Sequence, residues 1–299
     1  MLEMHLLTVE RAQVRIHPTA CISPSARLGQ EVTVGPFAVI EPDVVIADRC
    51  RISSHVVVKS GTELGRDNLV EVGAVLGGRP QHLAATDEVG RLRIGNGNQI
   101  REHVTVHVGL GVNDVTRIGN KNLIMVSTHV GHDCVMGDNN IIANNVMLAG
   151  HVVIEDRAYL SGAVAVHQFC RIGSFAMVGG LARVTQDVPP YVTVDGGTTS
   201  LVGLNTIGLR RAGMNRAQLR DLKSAYRIAF RSSDAFEVRL NRLRDQFHDG
   251  PVRCLWEFLA TGQRGFLQDR RGPTPAKIKI QGDRPLRAQD SGQARRKAA

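Results

Sequence analysis

From Ile16 onward an aliphatic residue returns at every sixth position: Ile22, Leu28, Val34, Ile40, Ile46, Ile52, Val58, Leu64, Val70 and Leu76. The phase breaks over residues 77–93 and resumes at Ile94, Ile100 and Val106. It breaks again over 109–117, then runs from Ile118 through Val130, Ile142, Leu148 and Val166 to Val184. Four residues after most of these comes a small side chain, as at Ala38, Cys50, Ala74, Thr128, Cys134, Ala158 and Cys170. Neither a helical period of 3.6 nor a strand period of 2 sustains such a phase. A chain that turns a corner every six residues closes a triangular coil in about eighteen, and stacked coils line up their aliphatic residues in columns. The pattern predicts an all-β, left-handed parallel β-helix of about nine coils over residues 14–195. The small residues fill the converging corners, and Asn120, Asn139 and Asn145 sit at the tight turns.

The two phase breaks read as loops projecting from the prism, where solenoids commonly build binding sites. After Val188-Pro189-Pro190 the beat ends. Leu219, Leu222, Tyr226 and Phe230 then recur at helical spacing behind Asn215, an N-cap residue, and Ser232-Ser233 separate this helix from DAFEVRLNRLRDQF. With a third short helix over 252–259, residues 204–262 read as a small helical domain. Residues 1–13 form an extension. The segment 272–299 is polar, contains Pro and Gly, and reads as a disordered tail.

Composition sharpens this picture in three places. Aromatic residues are only 4% of the 299, which suits an aliphatic prism. The tail holds seven Lys/Arg against two Asp/Glu, so +5 of the net +9 lies there and +4 in the rest. No aromatic platform or reader motif accompanies that charge, so no nucleic-acid partner is expected. Five cysteines without paired spacing make no disulfide framework, and Cys50, Cys134 and Cys170 fall in the small-residue slot. With no apolar run of about 20 residues and no leader-like start, the expectation is a cytoplasmic protein without a transmembrane segment.

The candidate chemistry is carried by histidine. Eighteen residues after His132 comes Gly150, so on adjacent coils His132 should neighbour the Gly150–His151 peptide, with His129 close by. His107 and His167 share a phase on other coils. A neutral imidazole beside a carboxylate, His132 next to Asp133, can take a proton from a hydroxyl near neutral pH. The N–H of Gly150, with no side chain to block approach, can stabilise an oxyanion. His103 and His107 lack the spacing and phase of a three-histidine metal centre, so no metal is expected.

The stretches MVSTHVGHDC, IIANNVMLAGHV, AVHQFCRIG and TQDVPPYV resemble the acyl-[acyl-carrier-protein]–UDP-N-acetylglucosamine O-acyltransferases of lipid A biosynthesis, and the resemblance spans residues 14–262. It implies a homotrimer that moves a 3-hydroxyacyl group from acyl carrier protein to the 3-hydroxyl of the sugar nucleotide. No cofactor is needed beyond the carrier's phosphopantetheine. It implies His132 as base, Asp133 as its acid partner and Gly150 as oxyanion donor. Gln81, His107, His129, His151, His167 and Gln168 fall on active-site positions. Asn205 and Arg211 fall near the nucleotide and acyl phosphopantetheine, and Gly180 where acyl length is gated. A basic rim including Arg171, Arg183, Arg210 and Arg211 would steer an acidic carrier protein. The chain departs from the family at His82 and Ala84, where Gln-Asp-Leu-Lys-Tyr is usual, at Val108, and at Thr198. These departures leave two alternatives: a different acceptor, such as a UDP-sugar with an amine at position 3, or a non-catalytic trimeric scaffold.

Overall fold

The computed structural model describes residues 14–271, so the expectations for residues 1–13 and 272–299 lie outside the described residues. Two- to four-residue strands follow one another around three parallel faces. The first face begins Arg15–Ile16, Thr33–Val34, Arg51–Ile52; the second Cys21–Ile22, Val39–Ile40, Val57–Val58; the third Arg27–Leu28, Val45–Ile46, Thr62–Leu64. Each strand pairs in parallel with its counterpart on the next coil, so that Ile16 faces Val34 and Val34 faces Ile52. This is the left-handed parallel β-helix that the six-residue period demands. The second face carries nine strands, one for each coil.

The inward columns are almost wholly dry: Ile40, Leu76, Ile100, Ile124, Ile142, Leu148 and Leu160 are all at most 1% exposed. Each such side chain contributes on the order of 1.5–3 kcal/mol relative to exposure. The corners use left-handed backbone, with positive φ at one residue in nearly every turn, including Asp133, Asn139, Asn145 and His151. Asn120 departs from expectation. Lys121 takes the left-handed conformation (φ 54°), while the Asn120 side chain accepts the Asn96 N–H at 2.8 Å. The predicted buried thiols are in place. Desolvation pushes the Cys134 thiol up to about 12, which leaves it inert.

One corner holds a device unforeseen from the chain. Asn68, Asn98, Asn122 and Asn140 fill the small-residue slot on successive coils and are at most 1% exposed. Asn98 donates through its N–H and Nδ2 to Asn68 Oδ1 (2.9 and 3.0 Å), and Asn122 does the same to Asn98. Asn140 N–H continues the ladder to Asn122 Oδ1. Buried amides are tolerable because the coil repeat supplies partners to all of them but Asn140 Nδ2, at the end of the ladder.

The two insertions leave between strands Val75–Gly78 and Arg91–Ile94 and between Thr105–His107 and Val115–Ile118. They are joined by Gly90 N–H donating to Gly109 O. Past the prism, Leu201–Leu204 pairs antiparallel with Val192–Val194, followed by α1 (Thr206–Arg211), α2 (Arg216–Arg231), α3 (Phe236–Gln246) and α4 (Gly250–Ala260). Asn215 caps α2 through a capping box with Gln218. Residues beyond α4 return to the prism, where Asp187 bridges Phe266 and Leu201 bridges Asp269. Arg171, expected in a docking rim, is instead the joint between prism and helices. It donates to Asp187 Oδ2 (2.8 Å) and Phe258 O (2.8 Å) and lies over the Phe258 ring. Among the described residues, no helix is long and apolar enough to cross a membrane.

Candidate active site

A cleft of about 640 Å³ opens along the second face beneath the first insertion. Its lining gathers Gln81, His107, His129, His132, Gly150, His167 and Gln168, seven positions foreseen from the sequence, together with His82, Gly131, Met147, Arg183 and Thr185. His132 follows strand His129–Val130 at the corner between the second and third faces, and Asp133 is the left-handed turn residue (φ 59°). The next turn repeats that geometry at His151, whose N–H donates to His132 O at 2.9 Å.

His132 Nδ1 lies 2.7 Å from Asp133 Oδ2. An ionised carboxylate only accepts, so Nδ1 carries the proton and Nε2 keeps its lone pair. The Asp133 carboxylate is itself held by Leu110 N–H from the second insertion (3.2 Å to Oδ2). Its backbone N–H donates to Thr116 Oγ1 at 2.8 Å. The imidazole is packed from two sides, by the His82 ring at 5.4 Å and the His151 ring at 5.1 Å, both edge-to-face. It rests on Gly150, where an added β-carbon would come within 2.6 Å of Cε1 and Nε2. Among the described residues the Gly150 N–H has no protein acceptor. A β-carbon at Gly131 would reach 2.9 Å from that nitrogen. Both glycines therefore keep an N–H and an imidazole nitrogen open to one volume.

The surrounding imidazoles are fixed as well. Carbonyl Arg79 O accepts from His107 Nδ1 at 2.5 Å, leaving its Nε2 as an acceptor. His129 Nδ1 pairs with Thr105 Oγ1 at 2.9 Å, and its ring meets that of His107 at 4.9 Å. Burial lowers the pKa of both below the ordinary histidine value, and His132 adds to this for His107. Arg264, from the segment after α4, donates to His167 Nδ1 at 3.0 Å, which puts the His167 proton on Nε2.

Three foreseen residues lie elsewhere. Asn205 and Arg211 line a second cavity, of about 590 Å³, on the first face with Tyr159, Ser161 and Met177. There Asn205 also caps α1, accepting from Gly208 N–H and donating to Phe175 O. Gly180 sits on the corner between the first and second faces, where a β-carbon would press on Gly162 O at 3.3 Å. His151 and Asp133 stand behind the cleft rather than in its lining. Gly131 and Arg264 were missed by sequence reasoning. Gly131 could have been found as the residue one coil below Ala149, whereas nothing in the pattern links Arg264 to position 167.

Residues 187–267 match the model described as UDP-N-acetylglucosamine O-acyltransferase, domain 2, and residues 25–60 and 116–150 match the bacterial transferase hexapeptide model. An acyl-[acyl-carrier-protein]–UDP-N-acetylglucosamine O-acyltransferase from Halorhodospira halophila is 44% identical over 259 residues, covering 85% of this chain and 99% of its own. This chain belongs to that family. A second relative of the same name, from Gloeothece citriformis, is 45% identical over 222 residues, 74% of this chain and 80% of its own. Among solved structures, the UDP-N-acetylglucosamine O-acyltransferase from Moraxella catarrhalis superposes with a TM-score of 0.82 at 37% identity, covering 85% of this chain and 99% of that one. As a member of this family the chain is an acyltransferase, and the cleft is its candidate active site.

Proposed function

We propose that this acyltransferase moves a 3-hydroxyacyl group from acyl carrier protein to the 3-hydroxyl of UDP-N-acetylglucosamine, with His132 as general base. The observation that carries the reading is the pairing of a carboxylate-oriented imidazole with an unused backbone N–H. Asp133 holds the His132 proton on Nδ1, and the Gly150 N–H opens beside Nε2. Nε2 takes the proton of the sugar hydroxyl as its oxygen attacks the thioester carbonyl. The Gly150 N–H holds the oxyanion, and the imidazolium returns its proton to the departing thiolate. No cofactor enters this scheme, because the acyl group arrives on the carrier's phosphopantetheine.

A trimer with shared sites is supported by the faces. The third face points Arg27, Glu63, Arg93 and Arg117 outward beside Val45, Val135 and Val153, while the first presents Leu69, Leu123, Ile141, Tyr159 and Met177 after Arg15 and Arg51, and the second Val39, Val57, Val75 and Met147 with Arg183 at its end. Asn205 and Arg211 stand on a different face from His132, so they can complete its cleft only from a neighbouring chain. The test is an assay with 3-hydroxyacyl carrier protein against UDP-N-acetylglucosamine and its 3-amino analogue. Turnover of the hydroxyl acceptor is expected, with His132→Ala lowering kcat by roughly 10²–10⁴-fold. A variant that kept its rate would remove the mechanism. Preference for the amine would change the acceptor.

A further inference from the structure

Asp133 stands between two imidazoles. Its Oδ2 is 2.7 Å from His132 Nδ1 and 3.7 Å from His151 Nε2, and one donor atom from each of the three residues lies within 4.8 Å of the others. The backbone that carries the set is fixed. Asp133 and His151 occupy stacked left-handed corners, Leu110 N–H pins the carboxylate, and the Phe169 ring stacks flat on His151 at 4.6 Å. These donors meet on the Nδ1 side of His132, away from the nitrogen that faces the cleft.

We propose that His132, Asp133 and His151 form an inhibitory site for Zn²⁺. Tetrahedral zinc with donors at about 2.0–2.2 Å needs them roughly 3.3 Å apart. The Asp133–His151 separation is near that value, the His132–Asp133 pair opens by about half an ångström as the ion replaces the shared proton, and the two imidazole donors, within 4.8 Å of each other, close toward it by rotation of the half-exposed His151 side chain. The side chain of His151 is 37% exposed, which admits the ion and a water as fourth ligand. Two imidazoles and one carboxylate suit zinc, whereas magnesium and calcium require more oxygen donors. The consequence follows from proton balance. A neutral His132 has one ring proton, and zinc on Nδ1 moves it to Nε2. The lone pair that would accept the sugar proton is then gone, with no change in overall fold.

The inhibition half of this inference rests on His132 as the base, while the binding half does not. Full-length protein is therefore titrated with ZnSO₄ against a chromophoric chelator, and acyl transfer is measured in parallel with ZnSO₄ or MgCl₂. Zinc should bind at one site per chain and abolish turnover, EDTA should restore it, and millimolar magnesium should leave it unchanged. H151N should weaken zinc binding at least tenfold while keeping its thermal transition, and H129A, altered elsewhere in the cleft, should bind zinc like the parent. Zinc binding that is absent, unchanged in H151N, or lost in H129A overturns the site. Binding at the triad without loss of turnover overturns the tautomer argument. If the preparation transfers no acyl group at all, the function proposed above fails and the binding titration still decides the site.

Discussion

Two corners of one prism carry polar side chains, and they do opposite things with them. Between the third and first faces, Asn68, Asn98, Asn122 and Asn140 point inward from the small-residue slot and bond along the helix axis. Between the second and third faces, His132, Asp133 and His151 occupy the outer part of the turn: His132 bonds to Asp133 on its own coil, His151 approaches the same carboxylate from the next, and the free nitrogen of His132 faces a cleft. Both rows arise from the same six-residue repeat. The difference is two positions of phase: His132 lies two residues past its aliphatic Val130, while each ladder asparagine lies four past its own. An inward amide with its oxygen saturated is structure. An outward imidazole with one nitrogen tied and one free is chemistry.

The largest test of that contrast is Gly150→Ala. A β-carbon 2.6 Å from the His132 ring displaces the proposed base and crowds the N–H proposed to hold the oxyanion. We expect kcat at saturating substrates to fall by about 10²–10³-fold, the range for loss of one oxyanion donor. Retained turnover would mean that the corner is structural like its counterpart. The converse variant, Asn122→Ala, breaks the ladder by leaving the Asn140 N–H without its acceptor and by removing the Nδ2 donation to Asn98 Oδ1 and Gly137 O, while the backbone N–H of residue 122 still reaches Asn98. It should cost about 1–3 kcal/mol in chemical denaturation and leave kcat within twofold. Loss of turnover with unchanged stability would reverse the assignment.

The smallest effect concerns acid. His107 and His129 have folded pKa values below the ordinary 6.5, chiefly through burial. As pH falls through 6.5 the unfolded chain binds protons that the folded cleft does not. Their contribution is therefore complete above about 6.5 and is lost as pH drops toward the lowered folded values. Thermal transitions should decline over that window, and His129→Gln should flatten the decline. An unchanged slope in that variant would count against burial as the cause.

Much of this was legible in the chain because a solenoid repeats its physics. The aliphatic column fixes coil size, and an eighteen-residue offset put His132 beside Gly150 before any coordinates. The asparagine ladder was equally periodic, at Leu64, Ile94, Ile118 and Met136 plus four, but asparagine reads first as a turn residue. Arg171 misled for a related reason. A basic residue on an outward strand position looks solvated until a helix 87 residues later brings Phe258 O to its guanidinium. Insertions and returns carry no period, so the contacts of Leu110 with Asp133 and of Arg264 with His167 left no trace in sequence.

The amino-acid sequence by itself determined the prism, its corners and the gathering of imidazoles on one of them, because local side-chain volume and backbone handedness repeat every six residues. Only the tertiary structure decided which nitrogen of each ring is tied, which N–H is left open, and that Asn205 and Arg211 lie on a different face from His132. Those are matters of distance between segments with no common period, and hydrogen-bond geometry resolves them at a few tenths of an ångström.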